Sequence, residues 1–382
     1  MNDSPLAGMR VLDFSRLFPG PYCSRILADF GAEVIKIEQP GGGDWARYVP
    51  PLEEGESLFF RALNRGKKSL TLNLKSEQGR AILLQLVETA DVLLESFRPG
   101  VMERLALGYE TLARVNPRLV YCSLTGYGSE GPYRQRAGHD LNYIGLAGLL
   151  DLIGPQEGPP SIPGAQVADL MGALWATVGI LLALAARERT GQGQRVDASL
   201  LGGALSGLTL PVVRHLGGQS MARGGSDLTG GLVCYQIYET QDGKYVTMGS
   251  LEPQFWAAFC QAVGREDLLG EQFTPAMPGE PVYGQLCALF RTRTRQEWME
   301  ALMGMDACCE PVYTVAEALA SAPVQALGML GGAGLLPPLR LSAQDARPSD
   351  VAPTLGQHTA PLLAELGYAA ATVEELREHG VV

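Results

Sequence analysis

Apolar positions in the first third of the chain fall into short runs, each followed by a stretch of helical period. Arg10–Phe14 (RVLDF), Glu33–Glu38 (EVIKIE), Ser69–Leu74 (SLTLNL), Asp91–Glu95 (DVLLE) and Leu119–Thr125 (LVYCSLT) have the length and pattern of strands. Pro19-Gly20-Pro21 suits the start of a helix reaching to about Asp29, and Gly31 ends it. Glu77–Ala90 and Tyr109–Val115 complete further strand–helix–strand cycles. Repetition at this spacing predicts parallel pairing with right-handed crossovers, hence a large doubly wound α/β domain. Ligands in such sheets bind beyond the carboxyl ends of the strands.

The pattern then changes. Leu170 to Ala186 contains no charged residue, with Asp169 before it and Arg187-Glu188-Arg189 after it. That run is at the short limit for a membrane span and contains glycines and a threonine, so a helix buried inside a large protein is expected. Gln194–Ala198 reads as one more strand and Leu200–Val213 as a helix. Leu216–Gly231 is glycine-rich and reads as a linker. Beyond it, Tyr235–Tyr238 and Tyr245–Gly249 flank the turn Gln241-Asp242-Gly243-Lys244 as a hairpin, with helices near 253–264 and 295–304. The expected organisation is a large domain over 1–215, a linker over 216–231, a smaller α+β domain over 232–312, and a second linker with the C-terminal return to the large domain over 313–382.

Composition narrows the function. The 382 residues are 46% hydrophobic and 19% charged, a globular balance. A net charge of −11 argues against general nucleic-acid binding. Residues 1–140 carry equal numbers of acidic and basic side chains, so the whole negative surplus lies beyond them and an anionic ligand suits the first part better. The seven cysteines include no CxxC, suggest no metal site, and read as reduced thiols of a cytoplasmic protein, with Cys308 and Cys309 expected to be buried.

His139 is one of only four histidines. It lies in Gly138-His139-Asp140-Leu141-Asn142-Tyr143, just after Gly126-Tyr127-Gly128-Ser129-Glu130-Gly131, which itself follows a strand end. That glycine run matches GxGxxG, but Pro132 and a polar, basic loop come next instead of an apolar helix, so close backbone approach to a ligand is the better reading. Thirty residues after His139, Asp169 stands at the start of the apolar helix, where the helix dipole favours an ionised carboxylate. An imidazole and a carboxylate in one pocket can move a proton off carbon and back. Glu252 opens a helix of the second domain and could orient His139. Arg65, Lys67 and Lys68, within Asn64–Ser69, form a candidate phosphate cradle, to which Lys36, Arg98 and Arg104 could add.

Together these segments resemble the family III coenzyme A transferases, and within that superfamily the α-methylacyl-CoA racemase branch. The resemblance is carried by Leu27–Glu38, Asn64–Lys68, Arg98–Leu105, Ala137–Tyr143, Thr190–Gln192 with Val196-Asp197, Gly249–Phe255 and Leu355–Thr359. It implies two interlocked subunits forming a homodimer, with CoA phosphates on the basic residues named above and Asp140 beside the thioester. In the racemases, residues matching His139 and Asp169 exchange the α-proton between faces. In the transferases, the aspartate matching Asp169 attacks the thioester and forms a mixed anhydride. Gly-His-Asp in the loop and Glu252 in Leu-Glu-Pro-Gln-Phe favour an acyl-CoA epimerase acting on 2-methyl-branched thioesters, with CoA transfer between carboxylic acids as the alternative. Neither a metal nor a redox cofactor is expected, and no membrane or nucleic-acid partner. One departure stands out: Leu170-Met171-Gly172-Ala173-Leu174 occupies the place where such racemases commonly have a glycine-rich run.

Overall fold

A computed structural model describes residues 4–346 and 348–382. The chain divides into two units. The first comprises the chain through Ala147, Ala165–Gly207 and Gln325–Val382, and the second Gly148–Gly164 and Leu208–Val324.

The first unit is built on a six-stranded parallel sheet. Its strands are β1 (Arg10–Asp13), β2 (Glu33–Glu38), β3 (Lys68–Thr71), β4 (Val92–Glu95), β5 (Val120–Thr125) and β6 (Arg195–Ser199), in the spatial order β3-β2-β1-β4-β5-β6. Chain order reverses between β1 and β4, so a crevice is expected beyond the carboxyl ends of those two strands. Their central positions are continuously apolar because both faces are covered. On one face, Leu12, Ile35, Leu70 and Leu93 pack with Ile82, Leu83 and Leu86 of α3 (Glu77–Glu88). The C-terminal helices Thr359–Glu365 and Ala370–Glu378 contribute Leu362, Leu363, Val373 and Leu376 to the same core. The chain end therefore returns to the first unit, where the Asn73 N–H donates to the Val381 carbonyl at 2.8 Å.

α1 (Pro19–Asp29) packs against the long helix α7 (Val167–Thr190), with the short helices α2 (Leu58–Asn64), α4 (Val101–Arg104) and α5 (Tyr109–Val115) between them in the chain. Burial of Arg187 beside Asp91, at 2.9 Å, ties the end of α7 to the residue preceding β4. The helix is longer than the apolar run suggested and is only partly buried. Ala173, Ala176, Ile180, Ala183 and Leu184 are covered, while Leu174, Trp175, Val178, Leu181 and Leu182 are exposed. By length and hydropathy α7 could cross a membrane, but the share of its most apolar window buried inside the protein is 44%.

The expected helix over 200–213 breaks in two, α8 (Leu200–Ser206) and α9 (Thr209–Leu216), with Gly207 between them. α9 already belongs to the second unit, and so does the segment expected to be a linker. Residues 216–231 are a folded loop. Arg214 holds Asp227 at 2.6 Å, Gly231 N–H donates to the Ser226 carbonyl at 2.8 Å, and Arg223 reaches Asp151 at 2.9 Å. The glycines there allow close packing: a Cβ on Gly231 would sit 2.3 Å from the Gly225 carbonyl oxygen. The second unit also holds a three-stranded antiparallel sheet, β9 (Cys309–Pro311), β8 (Tyr245–Gly249) and β7 (Tyr235–Glu239), in that order. Its core gathers Tyr238, Trp256, Phe259, Phe290 and Trp298. All seven cysteines are free thiols; Cys308 is exposed and Cys309 half-buried, so that pair is less covered than expected.

Candidate active site

The basic cluster of Asn64–Ser69 is not an open cradle. Lys67 is fully buried, 3.0 Å from the Asp13 carboxylate, and also donates to Ser24 Oγ at 2.8 Å and Asn64 Oδ1 at 2.9 Å. Arg65 is fully buried against Asp29 at 2.8 Å. Lys36, pointing inward from β2, pairs with Asp44 at 2.8 Å and donates to the Ser15 carbonyl at 2.9 Å. Lys68 is half-buried on Glu33. A phosphate on Lys36, Arg65 or Lys67 would have to displace a buried carboxylate, so these three are structural and not the phosphate ligands expected from the sequence. Lys68 and its partner Glu33 are both partly open to solvent. Burial alone would raise the Asp13 carboxyl, but Lys67, Lys36 and two serine hydroxyls outweigh it and hold the group well below the usual carboxylate range. Lys67 in turn falls to about 8, chiefly through burial. The cluster clamps β1, α1 and the turn before β3 together.

Groups open to a ligand lie along the carboxyl edge of the sheet. An apolar slot of about 250 Å³ is lined by Phe14, Ile37, Leu72, Phe97, Val101 and Leu105. Arg16, Lys75 and Arg104, all exposed, rim it. Arg16 and Lys75 were missed in the sequence, although each stands within a few residues of a strand end. Arg104 and Arg98 remain available as expected; Arg98 is exposed and borders the neighbouring cavity.

That cavity, of about 300 Å³, contains His139 together with Arg98, Thr125, Tyr127, Arg136 and Tyr143. His139 is the exposed N-cap residue of α6 (Asp140–Leu146), and its backbone N–H donates to Asn142 Oδ1 at 2.9 Å. The loop before it is fixed by two tyrosines. Tyr143 donates its hydroxyl to the Gly138 carbonyl at 2.7 Å and meets the Tyr127 ring edge-on at 5.0 Å. A Cβ on Gly126 would lie 2.5 Å from the Tyr143 hydroxyl oxygen, and one on Gly138 would lie 2.6 Å from that of Tyr127. The glycines of the GxGxxG-like run therefore admit tyrosines close to the backbone.

Asp169 is the third residue of α7, which begins at Val167. Its N–H, one of the unpaired donors of the first helical turn, goes to Asp140 Oδ1 at 3.0 Å. The starts of α6 and α7 are thereby joined. Burial, and then the charge of Asp140, push the Asp169 carboxyl up to about 6. This reverses the expectation from the helix dipole, chiefly because the carboxyl is buried and then because the partner drawn to the helix terminus is itself an acid. The Leu170–Leu174 segment is likewise set by packing: a Cβ on Gly172 would lie 2.5 Å from Leu200 Cδ2 of α8. Glu252 belongs to the second unit, where it is the exposed N-cap residue of helix α10 (Pro253–Ala262). Among the described residues, no group of three or more His, Cys, Asp or Glu side chains is arranged to hold a metal ion.

A doubly wound sheet with an apolar slot, a cationic rim and a histidine-bearing cavity along one edge defines a protein built to hold an extended anionic ligand. Comparison with known proteins makes the class specific. The model of CoA-transferase family III matches residues 6–359, and the chain belongs to that family. It is 38% identical to mouse alpha-methylacyl-CoA racemase over 386 residues, covering 99% of this chain and 97% of the relative. It is 33% identical to mouse succinyl-CoA:glutarate CoA-transferase over 396 residues, covering 99% and 90%. A crystal structure of a CAIB/BAIF family protein from Brucella suis superposes with a TM-score of 0.84 at 32% identity, covering 96% of this chain and all of that one. The protein is thus an enzyme of the family III CoA-transferase and racemase superfamily, whose relatives run both reactions at similar identity.

Proposed function

We propose that the protein is an acyl-CoA racemase that inverts the α-carbon of 2-methyl-branched thioesters. The observation that carries this reading is the Asp140–Asp169 contact beside His139, with Asp169 shifted to about 6. A carboxyl of that proton affinity is matched to the range in which imidazoles exchange protons, as a reversible two-base reaction requires. Asp169 as carboxylate takes the α-proton, and the C–H electron pair passes to the thioester oxygen as an enolate. The His139 imidazolium returns a proton to the opposite face, and the roles reverse for the other enantiomer. Glu252 is assigned to orienting His139. CoA phosphates are assigned to Arg98 and Arg104, joined by Arg16 and Lys75, with the adenine in the apolar slot, since Lys36, Arg65 and Lys67 are occupied internally and Lys68 is paired with Glu33. The side chains and the activated thioester suffice for these steps.

The same aspartate supports a second reading, because a CoA-transferase is among the similar relatives. There Asp169 attacks the thioester carbonyl and CoA leaves as the thiolate; the thiolate then takes the aspartyl carbonyl of the anhydride and frees the donor acid. An acceptor carboxylate displaces CoA from Asp169, and the thiolate returns to the acceptor's acyl carbon, giving the new thioester and free Asp169. Incubation with a single enantiomer of a 2-methylacyl-CoA in deuterated water separates the two. Gain of α-deuterium with loss of stereochemistry, both abolished by His139→Ala, supports racemisation. CoA movement to a free acid without exchange, spared by His139→Ala, overturns it.

A homodimer is part of the proposal. The exposed apolar face of α7, from Leu174 to Leu182, is the surface a second copy would cover.

A further inference from the structure

Glu95 is a buried acid that the proposed reaction does not use. It is the last residue of β4, where the chain leaves the sheet, and Ser123 stands opposite it on β5. The Ser123 hydroxyl bonds its carboxyl, and the carboxyl reaches forward to accept the Phe97 N–H at 2.8 Å. Phe97 lies beyond the strand end, where the ladder no longer supplies a partner for that N–H. Burial pushes the Glu95 carboxyl up to about 7; Ser123, the Phe97 N–H and Arg195 of β6 oppose the rise, and Glu103 of α4 adds to it. A buried carboxyl is costly at such a place, and what it supplies is an anchor for the segment that follows.

That segment carries groups of both cavities. Phe97 lines the apolar slot and the His139 cavity alike, and so forms the partition between them. Arg98 borders the His139 cavity, and α4, which follows directly, brings Arg104 to the slot. Two more contacts fasten the segment. The Arg16 guanidinium lies 5.3 Å from the centre of the Phe97 ring, and the Gln135 side-chain amide donates to the Pro99 carbonyl at 2.7 Å. Arg16 and Gln135 are both exposed, whereas Glu95 is shielded from water, so its bond is the least contested of the three.

Resting on the CoA assignment above, we infer that Glu95 is a positioning residue: by holding the Phe97 N–H it fixes the partition, and the arginines beside it, in the form that receives CoA. Residues 96–100 are then ordered before the ligand arrives, and binding does not bear that entropic cost. Either protonation state of the carboxyl offers an oxygen to the N–H. Glu95→Gln therefore retains the bond, its carbonyl accepting from Phe97 while its NH2 group donates to Ser123 Oγ. Glu95→Ala retains neither and leaves the Phe97 N–H without its partner.

Amide hydrogen exchange resolved to single residues, and calorimetric titration with CoA, are run on the full-length wild type, Glu95→Gln and Glu95→Ala. Glu95→Ala is expected to speed exchange at residues 96–100 and to weaken CoA binding, each about tenfold, with α3 unchanged. Glu95→Gln stays within about twofold of the wild type in both measurements. Saturating CoA slows exchange in Glu95→Ala back toward the wild-type rate, because the ligand then supplies the order that the anchor no longer does. Equal losses in the two variants overturn the inference, since they make the charge responsible and not the bond. Faster exchange spread over β4 and α3 also overturns it, by making Glu95 a residue of general stability. Should Glu95→Ala not fold, the other two proteins decide: a Phe97 amide that exchanges freely in the CoA-free wild type overturns the inference, and slow exchange with matched CoA affinity in both supports it. Failure of the CoA assignment looks different. A wild type that binds no CoA, with residues 96–100 still loosened by Glu95→Ala, removes that assignment and keeps the anchor. CoA binding indifferent to Glu95→Ala does the opposite.

Discussion

The carboxylate of Asp140 accepts the backbone N–H of Asp169 at 3.0 Å, and so one acid fixes another at the start of α7. The contact stabilises the helix terminus while its charge makes Asp169 harder to ionise. Asp140→Asn keeps an oxygen acceptor at that position and removes the charge. The acid limb of the kcat/KM profile, expected near pH 6 for the wild type, should move down by about one unit in this variant. A pH–rate series measured by α-proton exchange checks it; an unmoved limb means that another group controls the acid side.

The same shift costs native stability. The folded-state carboxyl of Asp169 is raised above its unfolded value of 3.8 to about 6. Its favourable contribution is therefore complete below the unfolded value and is lost as pH rises through about 6. Asp169→Asn should accordingly abolish turnover and raise Tm at pH 8 by a few degrees, with a smaller gain at pH 4. Calorimetric scans at the two pH values test the sign.

Lys67 carries the opposite prediction from the one its sequence context suggests. Lys67→Met leaves the buried Asp13 carboxylate without its 3.0 Å partner, which should cost about 3–5 kcal/mol of folding stability. Because Asp13 is held far below the usual carboxylate range, the wild-type network stabilises the fold above the unfolded carboxyl value and weakens as pH falls beneath it. Arg104→Ala should do the reverse, lowering CoA affinity with little change in stability. Urea unfolding and CoA titration of both variants distinguish a structural lysine from a ligand-binding arginine.

Much of the fold was legible because the strands of a doubly wound sheet are short apolar runs set off by glycine and proline, and Arg10, Glu33 and Asp91 begin or border strands as read. The linker expected over 216–231 was misjudged because glycine permits close packing as readily as it permits flexibility, and only the Arg214–Asp227 and Arg223–Asp151 pairs tell the two apart. His139 and Asp169 stood out by rarity and helix position. The basic cluster misled because a cation next to a strand end looks the same in sequence whether it faces solvent, as Arg16 does, or turns inward onto Asp13, as Lys67 does. Partners of buried charges come from distant segments, 54 residues away in that pair, and no local pattern announces them.

Tyr143 holds the loop that presents His139. Tyr143→Phe keeps the ring against Tyr127 but loses the bond to the Gly138 carbonyl, a change worth about 1 kcal/mol of stability. The expected effect on the reaction is a fall in kcat of about tenfold with KM little changed, since the ring still shapes the cavity while His139 samples more positions. Gly126→Ala, whose Cβ would meet the Tyr143 hydroxyl at 2.5 Å, should be far more damaging. A KM that rises while kcat holds would show that the tyrosine serves binding instead.

The open face of α7 supplies the last test. Leu182 is 65% exposed and Trp175 51%, on a helix whose apolar window has a mean hydropathy of 2.0. An apolar patch of this kind left to water is a liability that a second copy of the chain would remove. Leu182→Arg places a cation in the middle of that patch without touching the packed face of Ala176, Ile180 and Ala183. Analytical ultracentrifugation should show the wild type as a dimer and the variant shifted toward monomer. If Glu252 orients His139 across subunits, as the proposed interlocked arrangement requires, exchange activity should fall in step with the dimer fraction. A wild type that sediments as a fully active monomer removes both the second copy and the cross-subunit role of Glu252.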